Sequence, residues 1–133
     1  MSNIFEIISR VYYSDTDAGG VVYHSKYLDF CEKARTDFLR SKNLIQTEIL
    51  NNYGILFVVK GAKIEYKKSA KLDDLIKITV SSIENNGLVI KMIQEIFNSN
   101  DELLFFMDVD LVCVNKDKKL VRVPKNITNA LNV

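Results

Sequence analysis

One segment of the chain has the residue spacing of a buried α-helix, and the rest of the sequence is patterned mainly for strands. Over residues 24–42, apolar side chains recur at steps of three and four, which places them on one face of a helix. The residues on that face are Tyr27, Cys31, Ala34 and Phe38. Leu28, Phe30 and Leu39 widen the face, so we expect this helix to be more buried than a surface helix.

The ends of this segment carry residues typical of helix boundaries. Ser25 is the expected N-cap and Asn43 the expected stop. A second, shorter helix is predicted over residues 45–52, ended by Gly54.

Five stretches have the composition and alternation of β-strands. They cover residues 4–13, 56–66, 75–83, 88–97 and 103–114. Asn86-Gly87 is the strongest hairpin signal in the chain, and short turns are also predicted at 98–101 and 116–119. Turns this tight join antiparallel neighbours. Residues 124–131 are expected to form a short tail.

An antiparallel sheet and a single apolar helix must pack against each other to bury both. Their lengths agree, because a helix of ~18 residues spans ~27 Å and strands of eight to ten residues reach ~26–33 Å. We therefore predict an α+β hotdog fold, in which a curved sheet of about five strands wraps one central helix. Its 133 residues fit one domain, 1–133. Residues 88–97 are apolar on both predicted faces, so the outer face is expected to meet another subunit.

Composition and charge exclude several classes of protein. A net charge of +1, from 18 basic and 17 acidic residues, predicts no general attraction to nucleic acid. The first residues lack the basic and apolar regions of a signal peptide, and no apolar run approaches the ~20 residues of a membrane span. We expect a cytoplasmic chain without membrane insertion. With one His and two Cys, Cys31 and Cys113 are expected to be free core thiols, and neither a metal site nor a cofactor is predicted.

The segment that carries chemistry is the turn-rich stretch ahead of the helix, residues 15–24 with the sequence DTDAGGVVYH. It superficially resembles a calcium loop, but the twelfth position is Lys26 where a bidentate Glu is required. A phosphate-binding loop would need a different glycine spacing and a Lys. Two interpretations stay open. Either Asp15 and Asp17 only hold backbone amides in a turn, or a carboxylate works beside the positive helix N-terminus, as acyl transfer to water requires.

This stretch, with Tyr27 and the CEKAR sequence of residues 31–35, resembles the signature of the 4-hydroxybenzoyl-CoA thioesterase family. Within that family the chain is similar to the Tol–Pal-associated acyl-CoA thioesterases, the YbgC type. Further matches are FVVK at 57–60, IEY at 64–66, LDD at 72–74 and VCV at 112–114, so the resemblance covers nearly the whole chain. It implies hydrolysis of acyl-CoA to a carboxylic acid and CoA, a homo-oligomer of sheet-joined dimers assembled as a tetramer, and acyl carrier protein as a further partner.

The resemblance also implies roles for individual residues. Asp17, directly before the xGGVV run of residues 18–22, is the implied nucleophile or general base, and the amide near His24 is the implied oxyanion donor. The His24 side chain could instead orient substrate or water. The residues expected to bind substrate are Tyr13, Val59, Lys60, Lys67, Lys119 and Arg122. The last three suit the phosphates of CoA, although basic turn residues are also commonly just solvated.

Expectations also follow for Asp15, for Glu32 and for the hairpin at 84–87. Asp15 is expected to hold the loop rather than act as a second catalyst. Glu32, where some other hotdog thioesterases carry their carboxylate, is expected to pair with Arg35 three residues on. The hairpin at 84–87 lacks the arginine that relatives often carry there, which weakens it as a CoA contact. The rival functions are a hydratase or dehydratase, for which His24 is the only available histidine, and a binding module for acyl thioesters or acyl carrier protein linked to envelope or phospholipid machinery.

Overall fold

A computed structural model describes residues 4–131. The strands are β1 (Phe5–Arg10), β2 (Leu56–Tyr66), β3 (Leu75–Asn85), β4 (Val89–Phe97), β5 (Leu103–Val114) and β6 (Leu120–Val121). The helices are α1 (Lys26–Ser41), α2 (Gln46–Tyr53) and α3 (Lys125–Leu131), and a short 3-10 turn spans Tyr13–Asp15. All pairings within the sheet are antiparallel, in the order β1-β3-β4-β5-β2, and β6 adds to β5.

The direction of the strands divides the sheet into two ends. β2 and β4 finish, and β3 and β5 begin, at the end where β1 leads into the loop before α1. The β3–β4 hairpin closes the opposite end. There the Asn86 side chain accepts hydrogen bonds from the amides of Leu88 and Val89, and Gly87 has φ +91°, which explains why the Asn-Gly pair forms this turn. The two edges of the sheet are β1 and β2.

Helix α1 lies against β1, β3 and β4, with its apolar face on the concave side of the sheet. The four residues predicted to line that face are at most 3% exposed. They pack with alternate residues of the strands, which include Ile76, Ile78, Ile90, Met92 and Ile96. The predicted α+β hotdog arrangement is therefore confirmed. The predicted free thiols of Cys31 and Cys113 are also both present, unpaired and buried.

The boundaries of α1 agree with the sequence patterns to within two residues. The helix begins at Lys26, with Ser25 at the N-cap, although the Ser25 side chain makes no capping hydrogen bond. Asn43, just past its end, has φ +61°, a conformation that Asn adopts more readily than most residues. Gly54 ends α2 with φ +67°. β1 is shorter than predicted because the chain turns into the 3-10 segment after it.

The outward face of β4 differs from the sequence-based expectation. Inward residues of β4 are fully buried, but its outward face is half-exposed and mixed, and Lys91 there is paired with Asp108 and Asp110. The prediction of two apolar faces is thus right for only one of them.

Residues 124–131 were predicted as a tail but contain α3, and the short strand β6 just before them was not predicted. α3 buries Ile127 and Leu131, which attach it to the core. In the described range, none of the helices combines the length and apolar composition that crossing a bilayer demands.

Candidate active site

The loop between β1 and α1 folds back on itself as a small hairpin. Thr16 pairs with Val22, and the amide of Asp17 donates to the carbonyl of Val21 at 3.0 Å. The amide of Tyr23 donates to the carbonyl of Asp15, also at 3.0 Å. These bonds return the chain past Asp17 immediately before the helix starts. They therefore fix the position of the Asp17 carboxylate relative to the first residues of α1.

The Asp17 side chain is exposed and only partly engaged. Its Oδ1 accepts a hydrogen bond from the amide of Gly19 at 2.8 Å, the Asx-type turn that was one of the two interpretations of this motif. Within residues 4–131 no donor reaches Oδ2. One oxygen holds the turn while the other is open to solvent. The turn interpretation and the catalytic interpretation are thus compatible. A Cβ added at Gly19 would lie 3.2 Å from Oδ1, so this position favours glycine.

The start of α1 presents unused backbone donors. No group in the described chain accepts a hydrogen bond from the amides of His24 and Ser25. Helix N-termini carry such unsatisfied N–H groups together with partial positive charge, which stabilise a developing negative charge. The His24 ring is exposed and lies 4.3 Å, centroid to centroid, from the ring of Tyr23.

A cluster of aromatic side chains supports this helix start. Tyr66, the last residue of β2, donates its hydroxyl to the carbonyl of His24 at 3.0 Å. Its ring packs against Tyr27 and Phe105, with centroids 5.6 and 5.2 Å away. The hydroxyl of Tyr27 accepts from the amide of Ala70 at 3.0 Å, and burial raises the pKa of Tyr27. Tyr27 was predicted only as part of the apolar helix face, and no role was predicted for Tyr66, although it lies in the IEY match.

The carboxylates flanking Asp17 have different environments. Asp15 Oδ2 accepts the amide of Tyr12 at 2.9 Å, which closes the 3-10 turn, so Asp15 holds the loop as expected. Glu32 is exposed on α1, and the predicted ion pair with Arg35 is wrong. Arg35 instead turns into the core, where its guanidinium donates to Gln94 Oε1 at 2.9 Å. The reason is its position on the apolar face of α1, one residue after Ala34.

This inward network fixes α1 on the sheet. Gln94 Nε2 donates to the carbonyl of Cys31 at 2.9 Å, so Gln94 bridges the helix backbone and the Arg35 side chain. Burial lowers the pKa of Arg35. Burial also raises the pKa of the Cys31 thiol to about 12 and that of Cys113 to about 11. Thiols this buried and this weakly acidic are not suited to act as nucleophiles.

Pockets lie on both sides of α1. One, of about 570 Å³, lies between β1 and α1 beside the loop, and its walls include Asp15, Lys26 and Phe30. The other, of about 310 Å³, lies between α1 and the β2 edge, and its walls include Arg35 and Val59. Glu32 and Thr36 line both pockets, so the two adjoin across the exposed face of the helix.

The basic residues predicted to bind CoA do not lie together within one chain. Lys67 follows Tyr66 at the loop end of the sheet, where it pairs with Glu65 at 2.6 Å. Lys119 and Arg122 lie at the opposite end, near the β3–β4 hairpin. Strands of eleven residues separate the two groups by roughly 30 Å.

The other three predicted substrate residues are also spread out. Tyr13 is beside the loop and 82% exposed. Val59 and Lys60 lie in the middle of β2, where the β2–β5 register shifts between Val59 and Gly61. Both are exposed on the sheet edge, and neither is part of the Asp17 loop.

Comparisons with known proteins show the family to which the chain belongs. Residues 11–131 match the family model of the thioesterase-like superfamily, and the chain belongs to that family. Its relatives include the acyl-CoA thioesterase YbgC of Haemophilus influenzae, 41% identical over 99% of this chain and 97% of that protein. The acyl-CoA thioester hydrolase YbgC of Escherichia coli is 39% identical over 95% of this chain and 94% of its own length.

The fold has close counterparts among solved structures. A probable thioesterase from Bartonella henselae superimposes with a TM-score of 0.84 at 32% identity, covering 90% of this chain and 98% of that one. The family predicted from residues 15–24 is therefore confirmed.

Proposed function

We propose that this chain hydrolyses acyl-CoA thioesters to a free carboxylic acid and CoA, with Asp17 as the catalytic carboxylate. The observation that carries the proposal is the pairing of a half-engaged carboxylate with unused amides at the start of a buried helix, in one loop. Acyl transfer to water requires a base or nucleophile on one side of the carbonyl and an oxyanion site on the other. The names of the YbgC relatives support the substrate class.

The reaction can follow a general-base route. The open oxygen of Asp17 takes a proton from water while the water oxygen bonds to the thioester carbonyl carbon. The carbonyl oxygen becomes negative and is held by the amides at His24 and the helix N-terminus. Collapse of this intermediate breaks the C–S bond and releases the CoA thiolate, which takes up the proton. A thiol pKa of about 8.5 makes this leaving group stable enough that a strong general acid is not needed.

The nucleophilic route uses the same groups. Asp17 Oδ2 attacks the carbonyl carbon, the C–S bond breaks, and a mixed anhydride forms with release of the thiolate. Water then hydrolyses the anhydride and restores the carboxylate. Both routes need the same oxyanion site. Hydrolysis in ¹⁸O-water under single-turnover conditions tests for the anhydride, because ¹⁸O enters Asp17 only when the anhydride forms and water attacks its aspartyl carbonyl carbon; water that attacks the acyl carbon puts the label in the product acid on either route.

We also propose a homo-oligomer built on β2, with a tetramer as the complete assembly. β2 is an eleven-residue edge strand, and its exposed side chains include Leu56, Val58 and Val59. A long edge strand with apolar side chains is a template for pairing with another strand. A second copy of β2, added antiparallel, would join two sheets into one. That pairing brings the far end of one sheet towards the loop end of the other.

This dimer would also reconcile the positions of the predicted substrate residues. Val59 and Lys60 of a second copy would lie nearer the Asp17 loop than they do within one chain. Lys119 and Arg122 of the second copy would likewise move to the same side as Lys67. We propose that these basic groups bind the phosphates of CoA across the two chains, since Lys and Arg suit phosphate oxygens.

The direct test is release of free thiol from a series of acyl-CoA substrates of increasing chain length, with the same acyl groups on acyl carrier protein as a parallel series. Turnover of at least one acyl-CoA is expected. The second candidate, a module that binds acyl thioesters for envelope or phospholipid machinery, predicts binding of these compounds without thiol release. An absence of hydrolysis across both series would therefore reject the enzymatic proposal.

A further inference from the structure

We propose that the hydroxyl of Tyr66 is a positioning group for the oxyanion site, because it fixes the His24–Ser25 peptide directly ahead of helix α1, where the donors lie. This inference rests on the proposed function and assigns a role to a residue outside the Asp17 loop. Tyr66 is far from His24 in sequence, 42 residues away, yet its hydroxyl lies 3.0 Å from the His24 carbonyl oxygen.

The Tyr66 ring is held in place independently of its hydroxyl. It packs edge-on against Tyr27 and against Phe105, and both of those side chains are buried. Tyr27 and Phe105 stack on each other at 5.2 Å. Tyr66 itself is 51% exposed. An exposed tyrosine could direct its hydroxyl to water, and here the packed ring directs it to the helix start instead.

The acceptor is a group whose position matters for the chemistry. The His24 carbonyl belongs to the same peptide unit as the Ser25 amide, and the His24 amide is in the adjacent unit. A hydrogen bond to the carbonyl limits rotation of that unit and so fixes the direction of its N–H. It also polarises the unit, which strengthens the amide as a donor. Because neither amide has an acceptor in the described chain, this orientation is not set by another backbone bond.

Two other hydrogen bonds hold the surrounding loop, and neither involves the His24–Ser25 peptide. Val22 donates to the carbonyl of Ala70 at 2.9 Å, and Ala70 donates to Tyr27. These contacts hold the chain just before His24 and one turn after it. Loss of the Tyr66 hydroxyl should therefore loosen the His24–Ser25 peptide without unfolding the loop.

The test is Tyr66→Phe, which keeps the ring packing and removes only the hydroxyl. A hydrogen bond of ordinary net strength corresponds to a loss of about 3- to 10-fold in kcat, with KM little changed. The variant should bind a thioether analogue of acyl-CoA, which cannot be hydrolysed, as tightly as the wild type does. This is expected because the thioether forms no oxyanion. Tyr53→Phe is the matched control: its hydroxyl accepts from Asn126 at the opposite end of the molecule, and kcat should not change.

The outcomes separate this inference from the proposed function. An active wild type, an inactive Asp17→Asn and a fully active Tyr66→Phe would overturn the role of Tyr66 and leave the function intact. A Tyr66→Phe variant whose loss of kcat is matched by weaker thioether binding or a lower Tm would also overturn it, since the hydroxyl would then be structural. An inactive wild type would reject the proposed function itself.

Discussion

The buried contact between Arg35 and Gln94 gives the most direct measure of what holds helix α1 on the sheet. Gln94→Leu keeps the side-chain size but removes the acceptor for Arg35 and the donor to the Cys31 carbonyl. Arg35 is 8% exposed, so its charge would be left in the core with fewer partners. Loss of a hydrogen bond to a charged group, here Arg35, costs about 1.5–3 kcal/mol of stability. Loss of a neutral hydrogen bond, here to the Cys31 carbonyl, costs about 0.5–1.5 kcal/mol. Together we expect a loss of about 2–4.5 kcal/mol.

The assay is urea unfolding followed by circular dichroism at one fixed protein concentration, because the stability of an oligomer depends on concentration. The double variant Arg35→Met, Gln94→Leu replaces both partners by apolar groups and should be more stable than Gln94→Leu alone. A Gln94→Leu protein within about 0.5 kcal/mol of the wild type would refute the reasoning, since surface substitutions have effects that small. So would a double variant less stable than the single one.

Two further predictions concern the second copy and CoA. Val59→Asp places a charge in the proposed β2–β2 contact, so light scattering should report a smaller species than the wild type; an unchanged mass would place the interface elsewhere. Lys67→Ala and Lys119→Ala should each raise KM for acyl-CoA with little change in kcat, and rising salt should weaken wild-type binding, because the proposed contacts are to the CoA phosphates, which are remote from the reacting carbonyl. If KM is unchanged in both variants, these lysines are solvated surface residues; Lys42→Ala, on the Ccap of α1, is the control.

The parts of the fold that the sequence predicted well are those with local signals at both ends. β2 and β5 were predicted to the residue, because their patterns are bounded by turn formers and a glycine. The periodicity of α1 predicted its buried face correctly. The predicted start, residue 24, is two residues before the observed start at Lys26. α3 was missed because seven residues give too little periodicity, and its burial depends on Ile127 and Leu131 meeting a distant core.

The candidate site was predictable only where its residues are neighbours in sequence. The loop with Asp17 and His24 is one continuous motif. The contacts of Tyr66 with His24 and of Arg35 with Gln94 join residues 42 and 59 positions apart, and no spacing rule reveals them. The spacing of three residues predicted an ion pair between Glu32 and Arg35. Spacing alone does not show that the helix face at Arg35 is buried against the sheet.

The separation of Lys67 from Lys119 follows from the order of strands and turns in the sequence. Antiparallel strands joined by tight turns place successive turns at alternate ends of a sheet. The turns after β2 and after β5 therefore lie at opposite ends, as the structure has them.

The central claim is that the Asp17 carboxylate carries the chemistry, and the measurement that tests it most directly is the kcat of Asp17→Asn for acyl-CoA. Asparagine keeps an oxygen for the Gly19 amide, so the loop and the fold should survive. General-base catalysis is worth about 10²–10⁴-fold, and a nucleophile can contribute more. We predict a loss of at least about 100-fold with acyl-CoA binding retained, and smaller losses for Asp15→Asn and Glu32→Gln. Hydrolysis by Asp17→Asn at a rate near that of the wild type would contradict the account.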